Sequence, residues 1–254
     1  MPKIQRALIS LTDKSGIGEF TKGLREFGIE VVSTGGTAKL LREAGLAVRD
    51  VSEVTGFPEM LDGRVKTIHP RIAGGVLAIR SNVEHMQALA AHGIPTIDMV
   101  VVNLYAFEKI AEKKDATVPE LIENIDIGGP TMIRAAAKNY QDVAVVTDPA
   151  DYPAVLDELR AGGGALSAAT RARLARKVFC ATAAYDGMIA DYLGSLATTP
   201  DAPFGETVHL QLEKAYGLRY GENPHQQAAV YGDFLSIFEQ LHGKELSYNN
   251  IVDI

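Results

Sequence analysis

The 254-residue sequence predicts an α/β fold: a parallel sheet with helices on both faces, followed by the truncated start of a second α/β domain. Short apolar runs alternate with helical patterns from Ala7 to Arg160, the order that builds a parallel sheet through crossover helices. Polar clusters follow the runs: Thr12-Asp13-Lys14, Ser33 to Thr37, and Asn103-Leu104-Tyr105. All three fall at strand carboxyl ends, where open α/β sheets bind ligands. Beyond a Pro- and Thr-bearing stretch, Ala197 to Glu206, the remaining residues are too few to sustain a core alone.

Ala7-Leu8-Ile9-Ser10-Leu11 reads as the first buried strand, and a helix follows over Ile17–Phe27. Between them Thr12, Asp13 and Ser15 serve equally as helix caps or, with Lys14, as one wall of an anion site, because both roles use the same helix end. Ile29–Val32 gives the second strand and runs into Ser33-Thr34-Gly35-Gly36-Thr37, which opens the helix Ala38–Ala44. Here two glycines let main-chain N–H groups approach an anion and the helix start adds partial positive charge. Alone, such a turn also serves as a plain tight connection. Gly45 ends that helix and Leu46–Val51 reads as a third strand.

The segment from Ser52 is less regular and leads to Asp62-Gly63-Arg64-Val65-Lys66-Thr67-Ile68-His69-Pro70. Arg64 and Lys66 in one short irregular stretch are either a solvated loop with ordinary ion pairs or a local anion pocket, with a planar fork and a mobile point charge. His69 has no second ligand at a zinc-like spacing and is read as a packing residue. Ala73–Ala78 reads as core, Asn82–His92 as helix, and Ile97–Val102 as the clearest buried strand. Val118–Asn124 is helical; Ile125 to Thr131 forms a second glycine-rich bend before a helix over Met132–Asn139; Val143–Val146 is a strand, and Tyr152–Arg160 a helix. From Ser167 to Leu193 a long helix carries Leu174, Val178, Ala181 and Tyr185 on one face, fit for the sheet or for a partner. Val208–Leu212 alternates like a strand.

Net charge is −7, from 25 Lys+Arg against 32 Asp+Glu, so there is no electrostatic footprint for nucleic acid. The single cysteine, Cys180, excludes an internal disulfide and sits in an apolar run as a core residue. No segment reads as a signal peptide or a membrane span, which makes the cytoplasm the expected location. The convergence of three polar clusters on one rim, with a cationic segment between them, points to a phosphate-bearing small molecule.

The motifs Leu11-Thr12-Asp13-Lys14, Ser33 to Thr37, Thr55-Gly56-Phe57-Pro58-Glu59-Met60, Asp62 to Pro70, Asn103-Leu104-Tyr105, Asp126-Ile127-Gly128-Gly129 and Arg134 to Asn139 occur in this order. In these the chain resembles the bifunctional AICAR formyltransferase/IMP cyclohydrolase family over nearly its whole length. The resemblance implies a methylglyoxal-synthase-like cyclohydrolase domain over 1–197, a linker over 198–206, and the start of a formyltransferase domain over 207–254, including Arg219 to Gln226. It implies ring closure of a formamidoimidazole carboxamide ribotide to inosine monophosphate without metal or cofactor. It also implies a homodimer, through the 167–193 helix. Formyl transfer, whose co-substrate in the family is 10-formyltetrahydrofolate, is expected to be absent from a chain ending at Ile254.

By the same resemblance, catalysis falls to Lys66, Tyr105, Asp126 and Lys138. Ribotide binding falls to Thr12, Asp13, Lys14, Ser15, Thr34, Gly35, Gly36, Thr37, Arg64, Val65, Thr67, Val102, Asn103, Ile127 and Gly128. An amide nitrogen is a poor nucleophile, so closure needs proton removal, oxyanion stabilisation and a folded conformer. Asp126 is suited to take the carboxamide proton. Lys138 and main-chain N–H groups near Asn103 and Gly128 are suited to the oxyanion, and Lys66 and Tyr105 to proton relay. Asp126 also reads as a helix cap, and Tyr105 as a core aromatic. The rival readings are a methylglyoxal-synthase-type lyase acting on a triose phosphate and a non-catalytic nucleotide-sensing module.

Overall fold

The computed structural model describes residues 3–105, 107, 110, 113, 116–196, 204–233, 236 and 246–252. The chain divides into two compact units, Met1–Leu193 and Gly194–Ile254. In the first, β1 (Arg6–Ser10), β2 (Glu30–Ser33), β3 (Val48–Asp50), β4 (Met99–Val102) and β5 (Ala144–Val146) form one sheet of order β3-β2-β1-β4-β5. Every neighbouring pair is parallel, with Leu8 beside both Val32 and Val100, and Val100 beside Val145.

The strands are short, and all but the edge strand β3 bury residues on both faces, as alternation of side chains across a pleat requires. Ala7, Ile9, Val31, Met99, Val101, Ala144 and Val146 pack on one side against α1 (Ile17–Arg25), α2 (Gly35–Glu43) and α8 (Tyr152–Ala161). Leu8, Val32, Val100, Val102 and Val145 pack on the other against α3 (Val51–Thr55), α4 (Pro70–Leu77) and α7 (Gly128–Lys138). Each large apolar side chain buried in these layers stabilises the fold by about 1.5–3 kcal/mol. Among the described residues, the remaining α-helices of this unit are α5 (Val83–Ala91), α6 (Val118–Glu123) and α9 (Ala168–Ser195).

The sheet with helices on both faces agrees with the sequence expectation, and several local features differ from it. The Gly128-Gly129-Pro130 bend is the first turn of α7 rather than a connection before it, since proline at a helix start lacks only an N–H that would be unpaired there. Ala73–Ala78 lies almost wholly within α4. The long helix folds back on the sheet through Leu174, Ala175 and Val178, and Tyr185 caps a smaller cluster with Phe107 and Leu121. Cys180 is exposed. Val178 and Thr182 face inward, and a residue midway between them on a 3.6-residue helix faces out.

In the second unit, β6 (Lys214–Gly217) and β7 (Ala229–Tyr231) form an antiparallel pair, and α10 (Tyr248–Val252) follows. Val208–Leu212 is exposed and is not a strand, and ladder pairing begins at Lys214. The Arg219 to Gln226 turn closes on itself, Gly221 N–H donating to Gln226 O at 2.8 Å. Most of the expected linker, 198–203, lies outside the described residues.

Candidate active site

Strand order reverses between β1 and β4, and the loops after these strands enclose the crevice where such sheets take ligands. Asn103, just past β4, clamps the loop after β1. Its Oδ1 accepts from Thr12 N–H at 2.7 Å and Asp13 N–H at 3.1 Å, and its Nδ2 donates to Asp13 O at 2.8 Å. Asp13 Oδ1 in turn accepts the Ser15 N–H, and Gly16, at φ 69°, turns the chain into α1.

One strand over, the buried Ser33 hydroxyl donates to Ile9 O, which fixes the exit of β2. Thr34 is extended, Gly35 has φ 55°, and α2 starts without a side-chain cap. The first N–H groups of α2 therefore precede its own hydrogen-bond ladder and face the rim. Nζ of Lys14 lies 3.5 Å from where a Cβ on Gly36 would stand, and Nζ of Lys66 lies 3.8 Å from the corresponding position on Gly35. Two ammonium groups flank one glycine turn at a helix N-terminus.

Lys66 arrives on a tight loop. Met60 and Val65 pair across it, while Leu61 and Asp62 both have φ 53° and Gly63 has φ 93°. Left-handed backbone at two non-glycine residues costs about 1–3 kcal/mol each. Gly63 is held to glycine twice over, since a Cβ there would stand 2.7 Å from Glu59 Oε1 and 2.9 Å from Lys66 Cε. Glu59 pairs with Lys66 at 3.0 Å, and Glu123 of α6 takes the exposed Arg64 fork-on. Beyond Lys66, the Thr67 hydroxyl lies 3.0 Å from where a Cβ on Gly128 would stand, so the loop meets the start of α7.

At that start sits Asp126. Its Oδ1 accepts the Gly129 N–H at 2.9 Å, and the N–H groups of Gly128 and Tyr105 also serve the carboxylate. Burial raises its pKa above the ordinary aspartate value in spite of these donors. A Cβ on Gly129 would stand 2.3 Å from Asp126 Oδ2, so only glycine lets the carboxylate lie over the helix start. Tyr105 is 50% exposed at the rim, which removes the core-aromatic reading. Asp126 is a cap, as one reading expected, and it is also a buried carboxylate at the same rim.

A profile described as "AICARFT/IMPCHase bienzyme" matches residues 136–254, and one described as "MGS-like domain" matches residues 16–131. A solved structure, "Crystal structure of ForH", is 37% identical with TM-score 0.70, covering 77% of this chain and 100% of that chain. This chain belongs to the AICARFT/IMPCHase bienzyme family. It is thus a member of a family of purine-biosynthesis enzymes, with an MGS-like domain as its first part.

Among the residues that resemblance to this bienzyme family assigned, the structure gathers Thr12, Asp13, Lys14, Ser15, Thr34, Gly35, Gly36, Val65, Lys66, Thr67, Tyr105, Asp126, Ile127 and Gly128 around the carboxyl ends of the strands. Four of the assigned residues lie differently from these. Thr37 is buried, its hydroxyl donating to Leu11 O and accepting from Leu11 N–H, so only its main chain can serve a ligand. The Asn103 amide is spent on the Thr12–Asp13 loop. Val102 is core. Lys138 ends α7, whose 11 residues at 1.5 Å each place it about 16 Å from Asp126. Its neighbour Asn139 donates to Val76 O and Ala78 O at the opposite edge of the sheet.

Sequence reasoning gave no role to Glu59 or Glu123, the counter-ions of Lys66 and Arg64. Glu59 stood inside a quoted motif; Glu123 carried no signal, because 59 residues separate it from Arg64. A separate cleft of about 340 Å³ lies between Arg49, Arg71 and Ile94 and shares no residue with this rim.

Proposed function

We propose that the chain is an IMP cyclohydrolase, closing 5-formamidoimidazole-4-carboxamide ribotide to inosine monophosphate with loss of water. One observation carries this reading: Lys14 and Lys66 flank the Gly35-Gly36 turn, and the Thr67–Gly128 contact extends the same surface to Asp126. A phosphate on the α2 N-terminus would meet main-chain N–H groups and the Lys14 ammonium. The bound ribotide would displace Glu59 from Lys66, leaving that ammonium to the reacting arms, and Arg64 would exchange Glu123 for the ligand.

The ribotide's two arms then lie toward Asp126. The ionised carboxylate takes the carboxamide proton as the nitrogen attacks the formyl carbon. The resulting oxyanion meets N–H groups at the start of α7 and the Lys66 ammonium. Tyr105 and Lys66 return protons as the tetrahedral centre expels water. On this reading the residues over 1–197 form the catalytic domain, those over 207–254 belong to the formyltransferase part, and the protein works in the cytoplasm. Ring closure here draws on side chains and main chain alone.

Lys138 finds its role in a homodimer, where it serves the second copy's site because it cannot reach its own. Mixing Lys66→Ala with Lys138→Ala, each inactive alone, restores part of the activity if subunits exchange. No recovery after verified exchange removes Lys138 from catalysis. Incubation of the purified chain with the formylated ribotide tests the main reading through the rise in inosine monophosphate absorbance. Turnover of dihydroxyacetone phosphate alone contradicts it in favour of a lyase, and binding without turnover contradicts it in favour of a sensor.

A further inference from the structure

Asp126 is held from two directions. Its carboxylate is fixed by the N–H groups of α7 and Tyr105. Its own main-chain N–H points away from the rim and donates to the hydroxyl oxygen of Tyr185 at 2.8 Å. Tyr185 comes from α9, 59 positions along the chain, and is buried. Its ring meets Phe107 edge-on at 6.4 Å, among Leu121, Ile125 and Ile189. The bend between α6 and α7 is otherwise tied by local bonds, Ile125 N–H to Ile122 O and Thr131 N–H to Ile127 O.

We propose that Tyr185 is a positioning residue for Asp126: its hydroxyl oxygen anchors the main chain of the bend to α9 and so aims the carboxylate at the reacting nitrogen. The proposal rests on the cyclohydrolase reading for that last step and on geometry alone for the first. Ionisable groups facing the bend are Tyr185 and Asp186 from α9, Tyr105 from the end of β4, and Glu123 from α6 with its partner Arg64 from the loop before α4. Burial, reinforced by the charges of Asp126 and Asp186 and opposed by the Asp126 N–H, raises the phenol pKa. Tyr185 therefore stays neutral while Asp126 titrates, and the anchor is constant across that range. Without the oxygen, the Asp126 main-chain N–H loses its acceptor on α9, and a part-buried N–H must turn to water.

Tyr185→Phe keeps the ring and its contact with Phe107 while removing the acceptor. The expected result is a kcat roughly tenfold lower with KM within about twofold, the signature of a base slightly misaimed rather than a lost binding contact. As the bend gains solvent, the acid limb of kcat and the Asp126 carboxyl titration, followed by carbon NMR, both move to lower pH. The carboxyl titration needs no substrate. Failure of the wild-type chain to cyclise would overturn the function proposed above and leave the anchor to be decided by NMR. In the wild type the Asp126 amide exchanges slowly with solvent, a result that does not depend on a variant folding. A folded Tyr185→Phe chain with unchanged kcat and unchanged Asp126 titration, or a fast-exchanging Asp126 amide in the wild type, overturns the proposal.

Discussion

At the amino-terminal edge of the sheet, the Arg80 guanidinium donates to the carbonyls of Gly75, Ala78 and Ile97 at 2.7–2.9 Å and lies 3.8 Å from Asp98. Asp98 also accepts the N–H groups of Gln5 and Arg6, and Asp142 accepts the Arg80 N–H. At the carboxyl-terminal edge, Lys14 has no carboxylate partner among the described residues, and Lys66 and Arg64 hold only half-exposed glutamates. Both edges carry cations, yet one set closes the starts of strands and loops, and the other faces solvent beside unladdered N–H groups. The difference separates charge that builds the fold from charge that is free to meet a ligand, a distinction that composition cannot make.

The sharpest way to break that comparison is to remove one cation from each edge. Lys66→Ala lowers turnover by orders of magnitude, about 10²–10⁴-fold if it moves protons, and changes the unfolding free energy by under about 1 kcal/mol. Arg80→Ala does the reverse: it removes the guanidinium from the Gly75, Ala78 and Ile97 carbonyls and from the charge of Asp98, and costs roughly 3 kcal/mol, read as a fall in Tm. Equal losses of stability would erase the distinction between the edges. Next in size is Gly129→Ala, whose Cβ must push the Asp126 carboxylate off its 2.3 Å approach. Turnover falls about 10²-fold while the fold loses about 1–3 kcal/mol, both measurable on one preparation.

Asp126→Asn sharpens the contrast through pH. Burial raises the folded-state pKa of Asp126 above its unfolded value. Its contribution to stability is full below the unfolded pKa and is lost as pH rises through the folded one, so the ionised group weakens the fold at neutral pH. The asparagine variant is therefore as stable as wild type at pH 7 or more so, yet inactive. In the wild type the acid limb of turnover lies above the ordinary aspartate range. The smallest effect comes from Asp148, whose pKa is lowered by the Ala150 N–H and then by Lys177. This stabilises above the unfolded pKa and is lost as pH falls through the folded one, so Asp148→Asn flattens acid denaturation by less than about 1 kcal/mol.

The five strands of the parallel sheet and the rim clusters were legible because two periodicities and one topological rule fix them, and Arg64 and Lys66 stood out as cations in an acidic chain. The length of α7 was not legible. Starting that helix at Met132 rather than Gly128 hid the separation of Lys138 from Asp126, because glycines and a proline read as a break although a first helical turn tolerates them. Thr37 and Asn103 were recognised as polar residues at the right edge, but their side chains hold backbone. Only coordinates show which partner a hydroxyl or amide has chosen. Cys180 misled because its sequence neighbours are apolar, whereas its place on the turn of α9 decides exposure.

The central claim is that one phosphorylated nucleotide spans the rim from the α2 N-terminus to Asp126. A crystal structure with inosine monophosphate tests it most directly. The phosphate is expected on the Gly35 and Gly36 N–H groups beside Lys14, with the base beside Lys66, Gly128 and Asp126. A nucleotide seated elsewhere, such as the Arg49–Arg71 cleft, or one bound at the rim with its base turned away from Asp126, would contradict the account.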